Sequence, residues 1–411
     1  MKKVAEYIKG DKVIWAIAGL LALFSFMPVY SASSNIAFMY SNGNTTAMLI
    51  KHLVHLAIGF SAMYFIHKIN YKYFAGISLL VGPIVLFLLI YTLGQGTTIG
   101  NANASRWIRI PVLGFTFQTS ALASIALLVF LARNLVKYDV KNLSLRDAVL
   151  YFLLPIGAVC ALILPANFST AALIFLLSMI LLIIGYFPMK YIGLSIGAGL
   201  FGLVMFIGVV LIFPNISNRV STWKARIENF SAGDAESNYQ VSKAKMAIAQ
   251  GGVFGKGPGK SVQKNFLPQS NSDFIYAVII EEFGVITGLL IIGLYIFLFF
   301  RIVRIAMRSP SPFGKYLSIG LGIGIVFQAF INMAVAVNLI PVTGQTLPLV
   351  SAGGSSIWMT CIALGMIISV SRSFIDNSID NPVDNPEESD ATEDLDPSET
   401  LSENSSNPEL A

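Results

Sequence analysis

The sequence is poor in charged side chains and contains little cysteine or histidine. Charged residues make up 12% of the 411 positions and hydrophobic residues 55%, whereas a soluble globular protein carries about 25% charged residues. This composition excludes a typical cytosolic enzyme. Cys160 and Cys361 both lie within apolar runs, so we interpret them as buried apolar residues and not as a disulfide or a metal-binding pair.

Long runs without charge indicate the fold class. Asp, Glu, Lys and Arg are all absent from residues 13–50, 73–105, 110–132, 148–189, 191–218 and 316–371. An apolar stretch of about 20 residues is enough to cross a bilayer as a helix. We therefore predict an all-α polytopic membrane protein of about ten transmembrane helices. The predicted spans are 13–31, 48–67, 73–93, 111–133, 147–165, 169–187, 191–213, 274–300, 315–338 and 354–372.

The distribution of basic residues predicts the orientation. An even number of spans places both termini on one side, and most short segments on that side carry Lys or Arg, which is typical of the cytoplasmic face. Residues 1–12 are then a cytoplasmic N-terminus and 13–372 the transmembrane domain, with one large extracytoplasmic (periplasmic) loop at 214–272 between the seventh and eighth helices. Because 12 of the 22 acidic residues and no basic ones follow residue 372, we predict a disordered acidic cytoplasmic tail at 373–411.

Three segments near the predicted outer face contain candidate site residues. Asp273 lies where the large loop becomes a helix, and its carboxylate has two interpretations: a group that takes a proton or holds a cation, or a helix N-cap. Arg106 and Arg109 flank Trp107; they either anchor the chain at the headgroups or grip a phosphate. Residues 332–356 form a charge-free segment broken by proline and glycine, which is tolerated at membrane depth only inside protein or beside a wet cavity.

These segments carry a family resemblance. The chain resembles the shape, elongation, division and sporulation (SEDS) family of peptidoglycan glycosyltransferases over most of residues 10–372. The motifs that match are Arg106-Trp107-Ile108 with Phe117-Gln118, Gly251-Gly252-Val253-Phe254-Gly255-Lys256-Gly257, Leu267-Pro268, Asp273-Phe274-Ile275, Glu281-Glu282-Phe283-Gly284, Pro341-Val342-Thr343-Gly344, Leu347-Pro348 and Ser351 to Ser356. Ser261-Val262-Gln263-Lys264 is more similar to the division branch, and Pro341-Val342-Thr343-Gly344 to the elongation branch.

The resemblance implies an activity and a set of site residues. It implies polymerisation of lipid II into glycan strands, with Asp273 as the catalytic carboxylate that activates the acceptor hydroxyl. The residues that it implies for substrate binding are Arg106, Trp107, Arg109, Lys256, Gln263, Lys264, Thr343, Ser351, Ser355 and Ser356. A divalent cation, Mg²⁺ or Mn²⁺, is a candidate cofactor, its ligands are not identified, and no organic cofactor is expected.

The chain also departs from the family pattern. Thr119, Ala121 and Ser124 stand in the fourth helix where the family usually has a proline, an acid and a lysine. Ala352 replaces a usual tyrosine. If the missing acid and lysine only formed an ion bridge, small neutral groups replace it at little cost in stability. If they bound substrate, their loss impairs turnover.

The family resemblance also implies a place and partners. We expect a multi-pass protein of the bacterial inner membrane that works at the division septum with a class B penicillin-binding transpeptidase and other divisome proteins, and no nucleic acid partner. An elongation role is an alternative to the division role. Two other functions fit the same residues: a transporter that flips lipid II, and a scaffold without catalytic activity that positions the transpeptidase.

Overall fold

A computed structural model of the chain describes residues 9–40, 45–95, 107–109, 116–212, 223, 239–267 and 269–380. Its helices are α1 (Lys12–Tyr40), α2 (Thr45–Ile66), α3 (Lys72–Gln95), α4 (Thr119–Lys137), α5 (Leu145–Ile163), α6 (Phe168–Ile184), α7 (Met189–Ile212), α8 (Tyr239–Gly251), α9 (Ile275–Arg308), α10 (Pro312–Ala336) and α11 (Gly354–Asp380). Two short strands, β1 (Trp107–Arg109) and β2 (Thr116–Gln118), precede α4.

The helices confirm the predicted fold class. Among the described residues, 9 helices are long and apolar enough to cross a membrane, and α6 is a further apolar helix of 17 residues. Together they match the ten predicted spans in order. The amphipathic helix α8 is the exception, because it lies within the predicted large loop and packs on α9 through Val241, Ala244 and Ala247.

Four predicted boundaries differ from the structure by eight residues or more. Helix α1 continues to Tyr40, past residue 31. The fourth span begins at Thr119 and not at residue 111, because residues 116–118 form β2, which pairs antiparallel with β1 through Ile108 and Phe117. A continuous apolar run does not distinguish a strand from a buried helix. Helix α9 continues to Arg308, past residue 300. Helix α11 continues to Asp380, past the predicted tail boundary, whereas residues 1–8 and 381–411 lie outside the described residues.

The helices differ in how much of their surface is buried inside the protein, which distinguishes central from peripheral helices. Helices α4, α10 and α11 bury most of their surface, whereas α3 and α7 bury the least and expose large apolar side chains. An apolar face that is not covered by protein is expected where a helix faces lipid. The centre of the molecule is thus built from α4, α10 and α11.

The start of α1 and the C-terminal part of α11 meet at one end of the molecule. The backbone N–H of Asp11, just before α1, donates to Ser371 Oγ of α11 at 2.9 Å. Arg301 Nε of α9 donates to Asp11 Oδ2 at 2.5 Å. The start of the first span and the end of the last therefore lie on the same side, as an even number of spans requires.

Candidate active site

Asp273 lies in a tight turn, residues 269–273, that leads into α9; we call it the Asp273 turn. The backbone N–H groups of Ser272 and Asp273 both donate to Gln269 O, at 3.0 and 3.2 Å. The helix begins at Ile275, its N-cap residue is Phe274, and no side chain makes the cap hydrogen bond. The structure therefore does not give Asp273 the capping position that one interpretation of the sequence assigned to it.

The connector between α10 and α11, residues 337–353, holds the Asp273 turn from one side. Ala352 N donates to Asn271 O at 2.8 Å, and Ser351 Oγ donates to Ser272 O at 2.7 Å. Two successive peptide carbonyls of the turn are thus bound by the connector.

Two helices hold the same turn from other directions. Asn332 Nδ2 of α10 donates to Asp273 O at 2.9 Å and to Gln345 O of the connector at 2.7 Å. Ser270 Oγ donates to Ala32 O of α1 at 3.1 Å. The main chain at Asp273 is therefore fixed by α1, α10 and the connector, while the Asp273 residue itself stays half-buried.

The connector has irregular backbone, and its residues 347–351 are buried. The segment predicted to be broken, 332–356, is irregular only over 337–353, because 332–336 belong to α10 and 354–356 to α11. Gly344 and Leu349 have positive φ, at 73° and 63°. Leu349 is buried, and Tyr295 Oη of α9 donates to Pro348 O at 2.5 Å. Irregular backbone at membrane depth needs such protein partners for its polar groups. Hydrogen bonds from α9 and α10 supply some of them here.

A cavity of about 100 Å³ opens between α4, α6, α10 and α11. None of the described residues that line it is charged. Its polar lining residues are Gln118, Ser120, Ser124, Thr170, Gln328, Gln345, Thr346, Ser356 and Thr360. Ala121 and Ser124, two of the departures from the family pattern, also line it. The missing acid and lysine would therefore have faced this cavity, which we call the neutral cavity.

Hydrogen bonds among neutral side chains form one wall of the neutral cavity. Gln328 Nε2 donates to Thr346 O at 3.0 Å, and Thr346 Oγ1 donates to Ser356 Oγ at 2.8 Å. Gln345 Nε2 donates to Thr170 Oγ1 at 2.9 Å. The wall connects α6, α10, the connector and α11, and Gln345 also accepts from Asn332, so the wall is joined to the Asp273 turn.

Glu281 of α9 is fully buried and accepts several hydrogen bonds. Lys256 Nζ donates to its carboxylate at 3.0 Å, and Ser261 Oγ donates at 2.5 Å. The backbone N–H groups of Val262 and Gln263 donate at 3.0 and 3.2 Å. A buried carboxylate needs such donors, because an unpaired charge is costly in a medium of low dielectric.

Glu282 beside it is also buried and joins the loop to α1. Its Oε1 accepts from Ser31 Oγ of α1 and from Ser261 N at 3.3 Å. Lys264 Nζ, itself buried, donates to Ser31 Oγ and to Gly259 O, both at 2.8 Å. We call Glu281, Glu282 and these partners the acid cluster. It ties α1, α9 and residues 256–264 together.

The glycine-rich segment 251–257 runs against a break in α9. Gly284 has φ of 83°, which interrupts the helix. Main-chain carbonyls of α9 near this break accept hydrogen bonds from the loop. Gly257 N donates to Glu282 O at 2.9 Å. A Cβ at Gly255 would lie 2.3 Å from that same oxygen, so only glycine allows this close approach. The glycines and the Glu281–Gly284 motif thus form one structural unit.

The structure gives the remaining predicted site residues different surroundings. Trp107 is half-buried and Arg109 exposed on β1, whose partner β2 packs against α11, and Arg106 lies outside the described residues. Thr343 Oγ1 is buried and has no hydrogen-bond partner among the described residues. Ser355 is buried at the start of α11.

The predicted ligand residues therefore divide into groups. Ser351 and Ser356 are joined to the Asp273 turn or the neutral cavity, whereas Lys256, Gln263 and Lys264 contact the acid cluster. Their predicted role in substrate binding stays a prediction.

Reasoning from the sequence missed several polar residues that build the site. They are Ser31, Asn332, Gln328 and Gln345. For Asn332 and Gln328 the available signal was a polar amide in an otherwise apolar, charge-free helix, since a buried amide needs partners. Which partners it finds depends on how distant segments pack.

The described residues do not offer a built metal site. Among them no three His, Cys, Asp or Glu side chains gather closely enough to hold a metal ion. A divalent cation held by protein normally takes several carboxylate or carbonyl oxygens. The described residues alone therefore give no basis for assigning a catalytic step to a cation.

Comparison with known proteins gives a consistent set of relatives. The model of a family described as cell cycle protein, for FtsW, RodA and SpoVE, matches residues 11–374. A probable peptidoglycan glycosyltransferase FtsW of Geobacter sp. (strain M18) is 31% identical over 381 residues, which cover 90% of this chain and 98% of that protein. Stage V sporulation protein E of Bacillus subtilis (strain 168) is 31% identical over 364 residues, 88% of this chain and 97% of that protein.

Solved structures share the fold. The rod shape determining protein RodA of Thermus thermophilus has a TM-score of 0.63 at 22% identity, over 89% of this chain and 97% of that one. A chain from a peptidoglycan synthase complex, studied for how it coordinates polymerization and crosslinking, has a TM-score of 0.67 at 23% identity, over 89% and 98%. These similarities show that the arrangement of helices is common to all three.

Proposed function

The chain belongs to the cell cycle protein family of FtsW, RodA and SpoVE, and we propose that it is a peptidoglycan glycosyltransferase that polymerises lipid II. The names of its curated relatives support this activity. The observation that carries the proposal is the Asp273 turn, whose main chain is held by α1, α10 and the connector beside the neutral cavity. A carboxylate whose main chain is fixed in this way is suited to act on a bound group.

In the proposed reaction, Asp273 accepts the proton of the acceptor sugar 4-hydroxyl. The acceptor oxygen forms a bond to the anomeric carbon of the donor, with inversion. The bond from that carbon to the polyprenyl diphosphate breaks, and the diphosphate leaves with the electron pair. The catalytic contribution expected from such a base is about 10²–10⁴-fold.

The diphosphate that leaves gains negative charge, which fixed cations stabilise. Lys256 already pairs with Glu281, and Lys264 is buried on Ser31 and Gly259. Among the predicted cations, this makes Arg106 and Arg109 the better candidates for the diphosphate. Arg109 is exposed on β1, at a position open to a charged ligand.

The substrate and partner follow from the same proposal. Because the donor is anchored in the membrane by its lipid, the proposal expects the site to open toward the bilayer, between helices that expose apolar faces. We propose the division role, since relatives named FtsW align over 90% of the chain, and a class B penicillin-binding transpeptidase as partner. A structural relative from a peptidoglycan synthase complex supports that pairing.

We also propose that the Asp273 end faces the periplasm and that both termini are cytoplasmic, in the inner membrane at the septum. The basic short loops support this orientation. Labelling single introduced cysteines at residues 139 and 260 with a reagent that does not cross membranes tests it. The proposal expects labelling in spheroplasts only at residue 260.

A reconstituted polymerisation assay tests the activity. Fluorescent lipid II is given to the purified full-length chain in liposomes, with and without the transpeptidase, and glycan length is read on gels. Wild type should make polymer, and Asp273→Asn should lower the rate at least about 100-fold, as expected on loss of a general base. The matched control is Asp139→Asn, an exposed aspartate between α4 and α5, which should keep wild-type activity.

The same preparation separates the alternatives. If lipid II crosses the liposome bilayer without being polymerised, and Asp273→Asn does not change this, the chain is a transporter. If wild type neither polymerises nor moves lipid II but still binds and activates the transpeptidase, it is a scaffold. A chelator arm tests the cation: polymerisation in excess EDTA that equals the untreated rate would exclude a required Mg²⁺ or Mn²⁺.

A further inference from the structure

Asn332 is a buried amide in the middle of a polar junction. Its side chain lies on α10 and is 1% exposed. Both of its Nδ2 hydrogens are used, one by Asp273 O at 2.9 Å and the other by Gln345 O at 2.7 Å. It is thus a single group that contacts both the Asp273 turn and the wall of the neutral cavity.

The two acceptors fix the orientation of this amide. Both are main-chain carbonyl oxygens, which only accept hydrogen bonds. A flipped Asn332 would place Oδ1 against them, so the nitrogen must face the junction. In this orientation Oδ1 is buried and has no hydrogen-bond partner among the described residues. An unsatisfied buried acceptor costs about 1–3 kcal/mol, so a role in stability alone does not account well for the amide.

We propose that Asn332 is a positioning residue that sets the distance of Asp273 from the Gln345 wall of the neutral cavity. This inference rests on the proposed function. Asn332 does not touch the reacting atoms in this assignment. It acts through the Asp273 carbonyl, so that the carboxylate on the same residue is held where a sugar hydroxyl in the cavity can reach it. A displacement of about 1 Å in such a group costs about 100-fold in rate.

The test removes the donors that Asn332 supplies to Asp273 O and Gln345 O. Asn332→Asp keeps the size; its ionised carboxylate has no donor, and its protonated form can donate to only one of the two carbonyls. In the liposome assay we expect kcat per folded molecule to fall about 100-fold while KM for lipid II changes less than about 3-fold. Asn332→Ala removes the donors without adding a charge, and it should show the same pattern.

The chain offers a matched control. Asn134 of α4 is also 1% exposed, and its Nδ2 donates to a main-chain carbonyl, Tyr151 O, at 2.8 Å. This contact does not involve the Asp273 turn. Asn134→Asp and Asn134→Ala should lose comparable stability but keep kcat per folded molecule within about 3-fold, since no reacting group is displaced.

Hydrogen exchange of the backbone adds a measurement that needs no activity. Losing the Asn332 bonds should speed exchange in peptides that cover 269–273 and 345–352, and the Asn134 variants should leave both unchanged. The positioning role is overturned if the Asn332 variants keep wild-type kcat, or lose no more than the Asn134 variants do.

The outcomes also separate the two proposals. If activity is lost in Asp273→Asn but kept in Asn332→Ala, only the positioning role is refuted. If wild type makes no polymer, the proposed function fails, and the exchange data decide whether Asn332 controls the Asp273 turn.

Discussion

Two groups of carboxylates on neighbouring parts of one chain segment are held in different ways. Glu281 is gripped by its own oxygens, which accept from Lys256, Ser261 and two backbone N–H groups. Asp273 is gripped by its main chain, through hydrogen bonds to the carbonyls of residues 271–273. The hydrogen bonds to Glu281 use its side-chain oxygens and make the carboxylate part of the packing. The hydrogen bonds to the Asp273 turn hold its main chain and so determine where the Asp273 carboxylate starts from the backbone.

The difference bears on what each group can do. A carboxylate that accepts bonds from buried donors would leave several buried groups unpaired if it gave those bonds up to a substrate. It is therefore poorly suited to proton transfer. Hydrogen bonds to the main chain of residues 271–273 supply the rigidity that a catalytic group needs. The comparison predicts that changes in the two regions separate stability from activity.

The largest effect tests the architectural half of this comparison. Glu281→Ala removes the centre of the acid cluster and leaves Lys256, Ser261 and two backbone N–H groups without their acceptor. We expect the free energy of unfolding to fall by about 3–5 kcal/mol, as on breaking a buried ion pair. Reversible denaturation in mixed micelles measures this. Polymerisation per folded molecule should stay within a few-fold of wild type, and a loss like that of Asp273→Asn would refute the division of roles.

The second prediction concerns the close approach of the glycine-rich segment 251–257 to α9, beside the acid cluster. Gly255 has φ of 79°, and a Cβ there would lie 2.3 Å from Glu282 O. Gly255→Ala should lower the free energy of unfolding by about 2–3 kcal/mol, from backbone strain plus the displacement of a main-chain hydrogen bond.

The matched control for the loop is Gly252→Ala. Gly252 also has positive φ, at 55°, but nothing lies within 4 Å of its Cβ position. Only the conformational cost remains, about 1–2 kcal/mol. Equal losses in the two variants would mean that the approach to α9 contributes nothing.

A third prediction concerns the lysine for which structure and sequence suggest different roles. Lys264 was predicted to bind substrate, yet it is buried and donates to Ser31 and Gly259. Lys264→Met keeps the stem and removes the charge. We expect the free energy of unfolding to fall by about 2 kcal/mol, as on losing hydrogen bonds from a charged group, with little change in KM. A raised KM for lipid II at unchanged stability would restore the substrate-binding role.

The sequence predicted the fold well because the bilayer imposes a strong constraint. Every apolar run long enough to span became a helix, including the short α6. It did not predict β2 or the break at Gly284, because apolar periodicity carries no information on strand pairing between segments or on a loop that packs against a helix. Helix α8 was missed since its four buried positions face α9, which sequence spacing alone does not reveal.

The site could be predicted only as far as local motifs reach. Asp273, Ser351 and the connector could be chosen from motif and composition, and the structure brings them together. Asn332 could not, because its meaning depends on two carbonyls that lie far from it in the chain. Lys256 and Lys264 were chosen as substrate-binding residues, and that role stays a prediction. Their contacts with Glu281 and with Ser31 and Gly259 could not be predicted, because charge alone does not indicate which buried groups lie nearby.

The smallest effect is expected at the opposite end of the molecule, where one ion pair can be removed while the other hydrogen bonds of its carboxylate are kept. The side chain of Arg301 is 27% exposed where it meets Asp11, and Asp11 Oδ1 also accepts from Val13 N and Ile14 N. Asp11→Asn keeps an oxygen for those helix-start bonds and loses only the ion pair. The free energy of unfolding should fall by about 1 kcal/mol or less, as for partly solvated pairs.

Salt sharpens the contrast between the two ends. Raising the ionic strength screens both ion pairs, because the cation of each is partly exposed, Arg301 at 27% and Lys256 at 31%. It has little effect on the hydrogen bonds that Glu281 accepts from Ser261 and from two backbone N–H groups. The difference between wild type and Asp11→Asn should therefore shrink as salt increases, while that between wild type and Glu281→Ala should persist. A penalty for Asp11→Asn that is as large and as insensitive to salt as that of Glu281→Ala would mean that both ends are held by buried charge. In that case the distinctive feature of the outer end would be the Asp273 turn and not the acid cluster beside it.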